Sequence, residues 1–197
     1  MQKEVTRSWP LFIGIGIMMI AHGLQMQLMG IRSVAEEFSV ITTGIFMAGY
    51  YIGYFSGSQT TPKLVQKVGH IRVFAAFASL ASLSALLAAV YVNPVMWTLS
   101  RIITGISLVS CYIVAESWLN DRATNKNRGQ LLSAYMIILY IGLGIGMLLL
   151  NVSSPKNYEP FILVSVLLSL ALVPILLTKR STPKFKKIGT ISVKELY

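Results

Sequence analysis

Three polar side chains interrupt long apolar stretches of this sequence, namely His22, Gln25 and Arg101. An arginine keeps its charge and carries five N–H donors, so a guanidinium among apolar residues needs an anionic group, a carbonyl oxygen or water. A histidine titrates near neutral pH and can report or relay protons. These residue types therefore indicate binding of an anionic group or organisation of water, together with movement of protons.

Each of these residues also has a structural interpretation. Arg101 could form an ion pair or a carbonyl contact inside a helix bundle, and His22 could be a hydrogen-bonded interior residue. Of the two nearby glutamines, Gln25 and Gln27, at most one shares a helix face with His22. The stretch from His22 to Gln27 is the segment that we expect to face a substrate, because contact with lipid alone would require no polar residue.

Enzymatic chemistry has little support in this sequence. It contains no His-Glu-x-x-His pattern, no glycine-rich phosphate loop followed by lysine and serine or threonine, and no Gly-x-Ser-x-Gly pattern. The two histidines, His22 and His70, are far apart, and Cys111 is the one cysteine of the chain. We therefore predict that the protein is not an enzyme and holds neither a metal nor another cofactor.

The composition indicates a chain that contacts lipid. Of its residues, 54% are hydrophobic and 12% are charged, whereas about a quarter of the residues of a soluble domain carry charge. The net charge of +10 comes from short basic clusters between long uncharged runs. Membrane lipid is therefore an expected partner and nucleic acid is not, because nucleic-acid binding needs a basic patch on one folded surface.

The uncharged runs predict six helices that each cross a bilayer, for which about 20 apolar residues suffice. Asn93-Pro94 divides the longest apolar region, because proline cannot continue a helix. The predicted fold class is thus an all-α membrane protein with a six-helix transmembrane bundle. The spans are 10–30, 40–60, 73–92, 95–118, 130–151 and 160–178, and residues 179–197 form a predicted basic cytoplasmic linker or tail.

These spans place the polar residues at comparable depths. At a rise of 1.5 Å per residue, Arg101 lies about 10 Å below the outer end of the fourth span. His22 lies about 12 Å below the outer end of the first span by the same measure. We therefore expect the two side chains to lie at similar depth, where the first and fourth helices could face a shared cavity.

The loops predict the orientation of the chain in the membrane. Alternate loops carry clusters of lysine and arginine, whereas the other loops hold only Arg32 and Lys156 together with three glutamates, and basic loops stay on the cytoplasmic side. Both termini are accordingly predicted to be cytoplasmic, in a multi-pass protein of the inner membrane. Three tryptophans near predicted span ends, Trp9, Trp97 and Trp118, are expected to anchor the helices in the headgroup region.

The second span carries glycines at intervals of four, at Gly49, Gly53 and Gly57. Four residues make about one helical turn, so these glycines share one face of the helix. Such a stripe lets a neighbouring helix approach closely. It predicts tight helix packing and says nothing about a substrate.

Glu116 lies near the inner end of the fourth span, about 22 Å along the helix from Arg101, so the two cannot pair. Its expected partners are the basic residues of the inner loops. The resulting ion pair could be a cytoplasmic latch that breaks in one conformation, or a static pair at the helix end.

Several motifs resemble the N-terminal half of a major facilitator superfamily transporter. The loop from Gly57 to Arg72 is similar to the signature between the second and third helices of that family, with Gln66 where an acidic residue is expected. Arg101-Ile-Ile-Thr-Gly105 resembles an Arg-x-x-x-Gly pattern whose arginine is linked to proton coupling in some members. The resemblance covers nearly the whole chain and is strongest to bacterial, drug-efflux-like members.

The resemblance has several implications for this chain. It implies half of a secondary transporter fold and a second six-helix half as partner, within the same parent chain, on a separate chain or in a homodimer. It implies alternating-access transport of a small organic solute, with protons as the expected coupling ion. The predicted cytoplasmic gate comprises Lys67, Gly69, Arg72, Glu116 and Arg128. The alternative function is a noncatalytic membrane scaffold or assembly factor that keeps the same fold.

Overall fold

The computed structural model describes residues 8–152 and 154–177, and all regular secondary structure in these two ranges is helical. Six helices follow the predicted spans, and the last of them continues into a short seventh. The bounds are α1 Trp9–Ala35, α2 Val40–Val68, α3 His70–Val90, α4 Pro94–Arg122, α5 Arg128–Leu149, α6 Glu159–Leu170 and α7 Leu172–Leu176. A 3-10 turn, Leu150–Val152, follows α5. The predicted tail at 179–197 lies outside the described residues.

Five stretches of the described chain are long and apolar enough to cross a membrane: α1, α3, α4, α5 and the stretch Glu159–Leu176 that joins α6 to α7. Helix α2 has 29 residues, about 43 Å at 1.5 Å per residue, which exceeds the roughly 30 Å of a hydrocarbon core. Tyrosines, serines and threonines interrupt its apolar residues, and it is not among these five stretches. The helical class is therefore confirmed, and a sixth crossing by α2 stays a prediction.

Local chemistry explains where the helices begin. The side chain of Asn93 accepts hydrogen bonds from the backbone N–H groups of Val95 and Met96, at 2.8 and 3.4 Å, and Pro94 is the first residue of α4. Proline is favoured at this position because its missing N–H group would have no helical partner. The predicted break at Asn93-Pro94 is thereby confirmed. Gly69 separates α2 from α3 with a φ of 89°, a backbone conformation that a side chain would strain.

The helices pack in a symmetric pattern. Helix α2 packs along α4 in the same way that α1 packs along α5. Helix α3 contacts α4 in the same way that α6 contacts α1, and α3 and α6 contact each other. Exchanging α1 with α4, α2 with α5 and α3 with α6 therefore maps the first four contacts onto one another in pairs and the α3–α6 contact onto itself. The main helix contacts therefore follow the same pattern in two sets of three helices.

Glycines allow the closest approach between α2 and α4. A Cβ atom at Gly53 would overlap the carbonyl oxygen of Ile102, and one at Gly105 would overlap the carbonyl oxygen of Tyr50. A Cβ atom added at Gly57 would lie 3.0 Å from the backbone of Ile106. The predicted glycine stripe on the second span is therefore confirmed as a close packing surface.

The contact between α1 and α5 repeats this arrangement. A Cβ atom at Gly23 would overlap the carbonyl oxygen of Leu143, and one at Gly146 would overlap that of Ile20. Gly142 lies one turn before Gly146 and would meet the carbonyl oxygen of Gly16 at 2.9 Å. In both helix pairs the two backbones are therefore in direct contact. This close packing fixes α1 and α4 within the bundle.

Two of the three predicted headgroup anchors lie inside the bundle instead. Trp97 is fully buried, and its indole N–H donates to the carbonyl oxygen of Ala88 at 3.0 Å. Trp118 is 2% exposed, and Trp9 alone of the three is open, at 53%. The prediction is wrong for Trp97 and Trp118 because a position near a span end sets the depth of a side chain, whereas helix rotation decides whether it points inward.

Candidate functional site

Three helices bring His22, Tyr50 and Arg101 together in the bundle interior. The rings of His22 on α1 and Tyr50 on α2 stack with their centroids 5.7 Å apart and an interplanar angle of 19°. The guanidinium carbon of Arg101 on α4 lies over the Tyr50 ring, 4.8 Å from its centroid. The two pathway residues expected at similar depth therefore contact the same tyrosine.

Arg101 and His22 are buried, and some of their nitrogen atoms form no hydrogen bond with the described residues. The exposed fractions of their side chains are 3% and 6%. Among the described residues, Nε and Nη1 of Arg101 and Nδ1 of His22 have no hydrogen-bond partner. Buried polar atoms are normally paired, so these three nitrogens are available to a ligand, to water or to another polypeptide.

The Tyr50 ring compensates Arg101 only in part. A cation over a tyrosine face gains about 0.5–2 kcal/mol, while an arginine at the centre of a membrane helix costs about 2.5–3.5 kcal/mol even on the mildest scale. The ring also accepts none of the strong hydrogen bonds that a guanidinium can donate. The arrangement therefore keeps a cation in place without neutralising it.

The glycines of α2 and α4 explain why Tyr50 reaches Arg101. Gly105 lies one turn after Arg101 on the same face of α4, and the Tyr50 backbone fills the space that a side chain at residue 105 would occupy. A larger residue at 105 would move α2 away from α4. The Arg-x-x-x-Gly spacing thus couples the charged residue to the close approach that positions its aromatic neighbour.

Gln25 belongs to a hydrogen-bonded network beside this cluster. Its Nε2 donates to Thr104 Oγ1 at 3.5 Å, and Thr104 Oγ1 lies 2.9 Å from Ser84 Oγ. Ser100 Oγ donates to the Ser84 carbonyl oxygen at 2.7 Å. Gln25 is buried and Gln27 is exposed, in agreement with the expectation that at most one glutamine shares the inner face. The network joins α1, α3 and α4 next to Arg101.

The predicted cytoplasmic gate residues lie at the opposite end of the described bundle from Trp97. Lys67, Arg72 and Arg128 are exposed, and Gly69 forms the junction between α2 and α3. The carboxylate of Glu116 accepts a hydrogen bond from the Tyr135 hydroxyl at 3.5 Å. Within the described ranges, Glu116 forms no ion pair, and the gate stays a prediction.

Sequence analysis missed Tyr50, which connects His22 to Arg101. Tyrosine counts as apolar when spans are delimited, so the segment Gly49-Tyr-Tyr-Ile-Gly53-Tyr54 gave no polar signal. Its signal was the alternation of glycine and tyrosine, which places rings beside a close helix contact. The Tyr50 ring also contacts the rings of Tyr51 and Tyr54, at centroid distances of 5.4 and 6.1 Å.

A helical bundle with five apolar spans and a cation enclosed within it defines a multi-pass membrane protein. The chain belongs to the major facilitator superfamily, whose family model matches residues 11–194. The resemblance noted from the sequence motifs is thereby confirmed at the level of the family.

Two curated relatives illustrate the extent of the match. The chain is 24% identical over 183 residues to the uncharacterized MFS-type transporter YcaD of Escherichia fergusonii, covering 93% of this chain and 48% of the relative. It is 26% identical over 171 residues to the protein of the same name from Escherichia coli O6:K15:H31, covering 86% of this chain and 44% of the relative. The chain therefore spans about half the length of the curated relatives it matches.

Proposed function

We propose that this chain is the N-terminal six-helix half of a secondary transporter that moves a small organic solute across the inner membrane by alternating access. The observation that carries the proposal is the buried Arg101, which has unpartnered donors beside Tyr50 and His22. A charged side chain at this depth is costly, so its presence in a membrane helix points to a functional site. Membership of the major facilitator superfamily supports the same conclusion.

The architecture supports assignment to one half of a transporter. The matching contact pattern of the two sets of three helices supports this assignment, because each half of such proteins is made of two inverted three-helix repeats. The chain also spans about half the length of the relatives. The proposed partner is a second six-helix half, in the same parent chain, on a separate chain or in a homodimer, with the solute held near the midplane between the halves.

The proposed pathway and the proposed gate are two separate groups of residues at different levels of the bundle. His22, Gln25 and Arg101 form the substrate or proton pathway, and His22 is suited to carry protons if transport is proton-coupled. Lys67, Gly69, Arg72, Glu116 and Arg128 form the cytoplasmic gate. Both termini lie in the cytoplasm in this proposal, as the basic loops predict. No catalytic step is assigned to any residue.

The burial of His22 and Arg101 is the one observation that favours a noncatalytic scaffold or assembly factor with the same fold. Side chains 6% and 3% exposed would stay enclosed permanently in a scaffold, whereas a transporter must open them to water during its cycle. The two functions therefore differ in whether water reaches these positions.

Cysteine accessibility separates the two functions. In the gene product that contains this chain, with Cys111→Ala as background, His22→Cys and Arg101→Cys should react with a membrane-impermeant thiol reagent. Ala21→Cys is the matched control, because Ala21 is fully buried next to His22 and should stay inert. If all three variants are equally inert although they purify as monodisperse protein, the transporter proposal is wrong.

Transport provides the second test. Flux of a solute panel into proteoliposomes by the intact gene product should be abolished by Arg101→Ala without loss of expression. Unchanged flux would remove Arg101 from the mechanism. Absence of flux for every solute would favour the scaffold.

A further inference from the structure

Among the described residues, the charges are distributed so that one cation inside the bundle is left without a counter-charge. Seven acidic residues are present, and all lie in loops, at helix ends or in the terminal segments: Glu4, Glu36, Glu37, Glu116, Asp121, Glu159 and Glu195. Of these, Glu116 shares a helix with Arg101 but lies about 22 Å further along it. Among the described residues, Arg101 has no ion-pair partner. Any counter-charge for Arg101 must therefore come from outside the described bundle.

The geometry of Arg101 specifies what kind of group is missing. Its Nε carries one proton and its Nη1 carries two, so three N–H donors lack an acceptor among the described residues. The Tyr50 ring occupies the face of the guanidinium and leaves its edge, where the N–H groups point, without an acceptor. Oxyanions such as carboxylates and sulfonates bind this edge with short, charge-assisted hydrogen bonds.

We propose that Arg101 binds the anionic group of the transported solute, so that the substrates are small organic monoanions. This inference rests on the proposed function. Arg101 is the only permanently charged cation at this depth in the described spans, because its neighbour His22 is a cation only when protonated, and this favours a single negative charge on the solute. A cationic solute would meet Arg101 as a like charge in a poorly screened interior.

The surroundings of Arg101 also indicate the body of the solute. The rings of Tyr51 and Tyr54 continue from Tyr50 toward the exposed surface of α2. Three adjacent rings form an aromatic surface next to the cation, which suits an apolar or aromatic body that stacks on tyrosine. The hydroxyls of Thr104 and Ser84 are already engaged with each other, at 2.9 Å, so the described residues add little capacity for a sugar-like body.

Probes that share one body and differ in charge test the inference. Benzenesulfonate, phenyltrimethylammonium and phenyl glucoside all carry a phenyl group and are anionic, cationic and neutral. Equivalent triplets on cyclohexyl and naphthyl bodies vary the size. Binding to the detergent-solubilised gene product is measured as a shift in melting temperature at constant ionic strength, with sodium sulfate as the control for an inorganic anion.

The anion should give the largest shift within at least one triplet and a larger shift than sulfate. Arg101→Gln should weaken binding of that anion roughly 10- to 100-fold, the amount expected for loss of charged hydrogen bonds. Arg101→Lys should retain part of the preference, and Lys126→Gln, which removes an exposed charge outside the site, should leave it unchanged.

Two results would overturn the inference: a neutral or cationic member preferred in every triplet, or an anion preference that survives Arg101→Gln. The first result requires only the unaltered protein, so this test can be carried out even if a variant fails to fold. Flux of the same probes into proteoliposomes separates this inference from the proposed function. Transport of a cationic or neutral solute would support the transporter proposal and refute the anion site. Binding of an anion without flux would support the anion site and refute the transporter proposal.

Discussion

Arg101 on α4 lies over the ring of Tyr50 on α2, with 4.8 Å between the guanidinium carbon and the ring centroid. Because His22 stacks on the same ring, Tyr50 connects the two ionisable residues of the bundle interior. The orientation of this one ring therefore determines how α1, α2 and α4 present their polar groups to each other.

Replacing Tyr50 tests that relationship. Tyr50→Phe keeps a ring under the guanidinium and should retain most of the stability, whereas Tyr50→Leu should lose about 0.5–2 kcal/mol of cation–π stabilisation. Thermal unfolding of the two variants measures the difference. Equal melting temperatures for the phenylalanine and leucine variants would show that the ring does not stabilise the buried cation.

Gly105→Ala should destabilise the protein by about 1–3 kcal/mol, since the added Cβ overlaps the Tyr50 carbonyl oxygen and forces α2 away from α4. Gly144→Ala is the matched control, because nothing lies within 4 Å of a Cβ atom there. Alanine at that open helical position should stabilise the fold by about 0.4–1 kcal/mol. Unfolding in a detergent series reports both changes, and a Gly105→Ala variant as stable as the control would contradict the close contact.

The guanidinium of Arg32 ties the end of α1 to the loop before α6. Its Nη1 donates to the carbonyl oxygens of Pro155 and Asn157, each at 3.3 Å, and to that of Lys156 between them. Its Nη2 forms an ion pair with Glu36 at 2.6 Å. The two N–H groups of Nη1 are therefore shared among three loop carbonyl oxygens, while Nη2 binds one carboxylate.

Arg32→Gln should speed hydrogen exchange and protease cleavage in residues 154–158, because the carbonyls lose their shared donor. Glu36→Gln removes the ion pair alone and should change stability by about 1 kcal/mol or less, as ion pairs between residues four apart on a helix usually do. Exchange measured by mass spectrometry compares the two variants. Equal protection of the loop in both would mean that Arg32 does not hold it.

Trp97→Ala should destabilise the fold by about 3–5 kcal/mol, the range expected for truncating a buried aromatic side chain. The indole also donates to the Ala88 carbonyl oxygen, which would be left without this donor. Trp9→Ala, at a residue 53% exposed, should cost much less. Comparison of the two melting temperatures checks the burial, and similar losses would restore the anchor interpretation for Trp97.

Much of the fold was predictable because its determinants are local. Asn93 and Pro94 end one helix and begin the next through their own backbone chemistry. The glycines at 49, 53 and 57 repeat once per turn, so their shared face follows from helix geometry. The motifs around Arg101 and Lys67 indicated the family that the comparison with known proteins then established.

The candidate site was predictable only in part. His22, Gln25 and Arg101 stood out because polar groups are costly among apolar residues. Tyr50 did not stand out, since a tyrosine is common in membrane helices and its role depends on which neighbours surround its ring. Trp97 was misjudged for the same reason, as its inward direction cannot be inferred from its place near a span end.

The sequence by itself determined which segments are apolar enough to leave water, because removing an ionised side chain from water is costly and long uncharged runs are rare without selection for lipid. Tertiary structure alone decided which side of each helix meets which neighbour. That choice depends on helix rotation and on backbone approach at residues such as Gly105 and Gly146. Contacts between residues far apart in the sequence determined how the helices pair, and they place the ring of Tyr50 next to both His22 and Arg101.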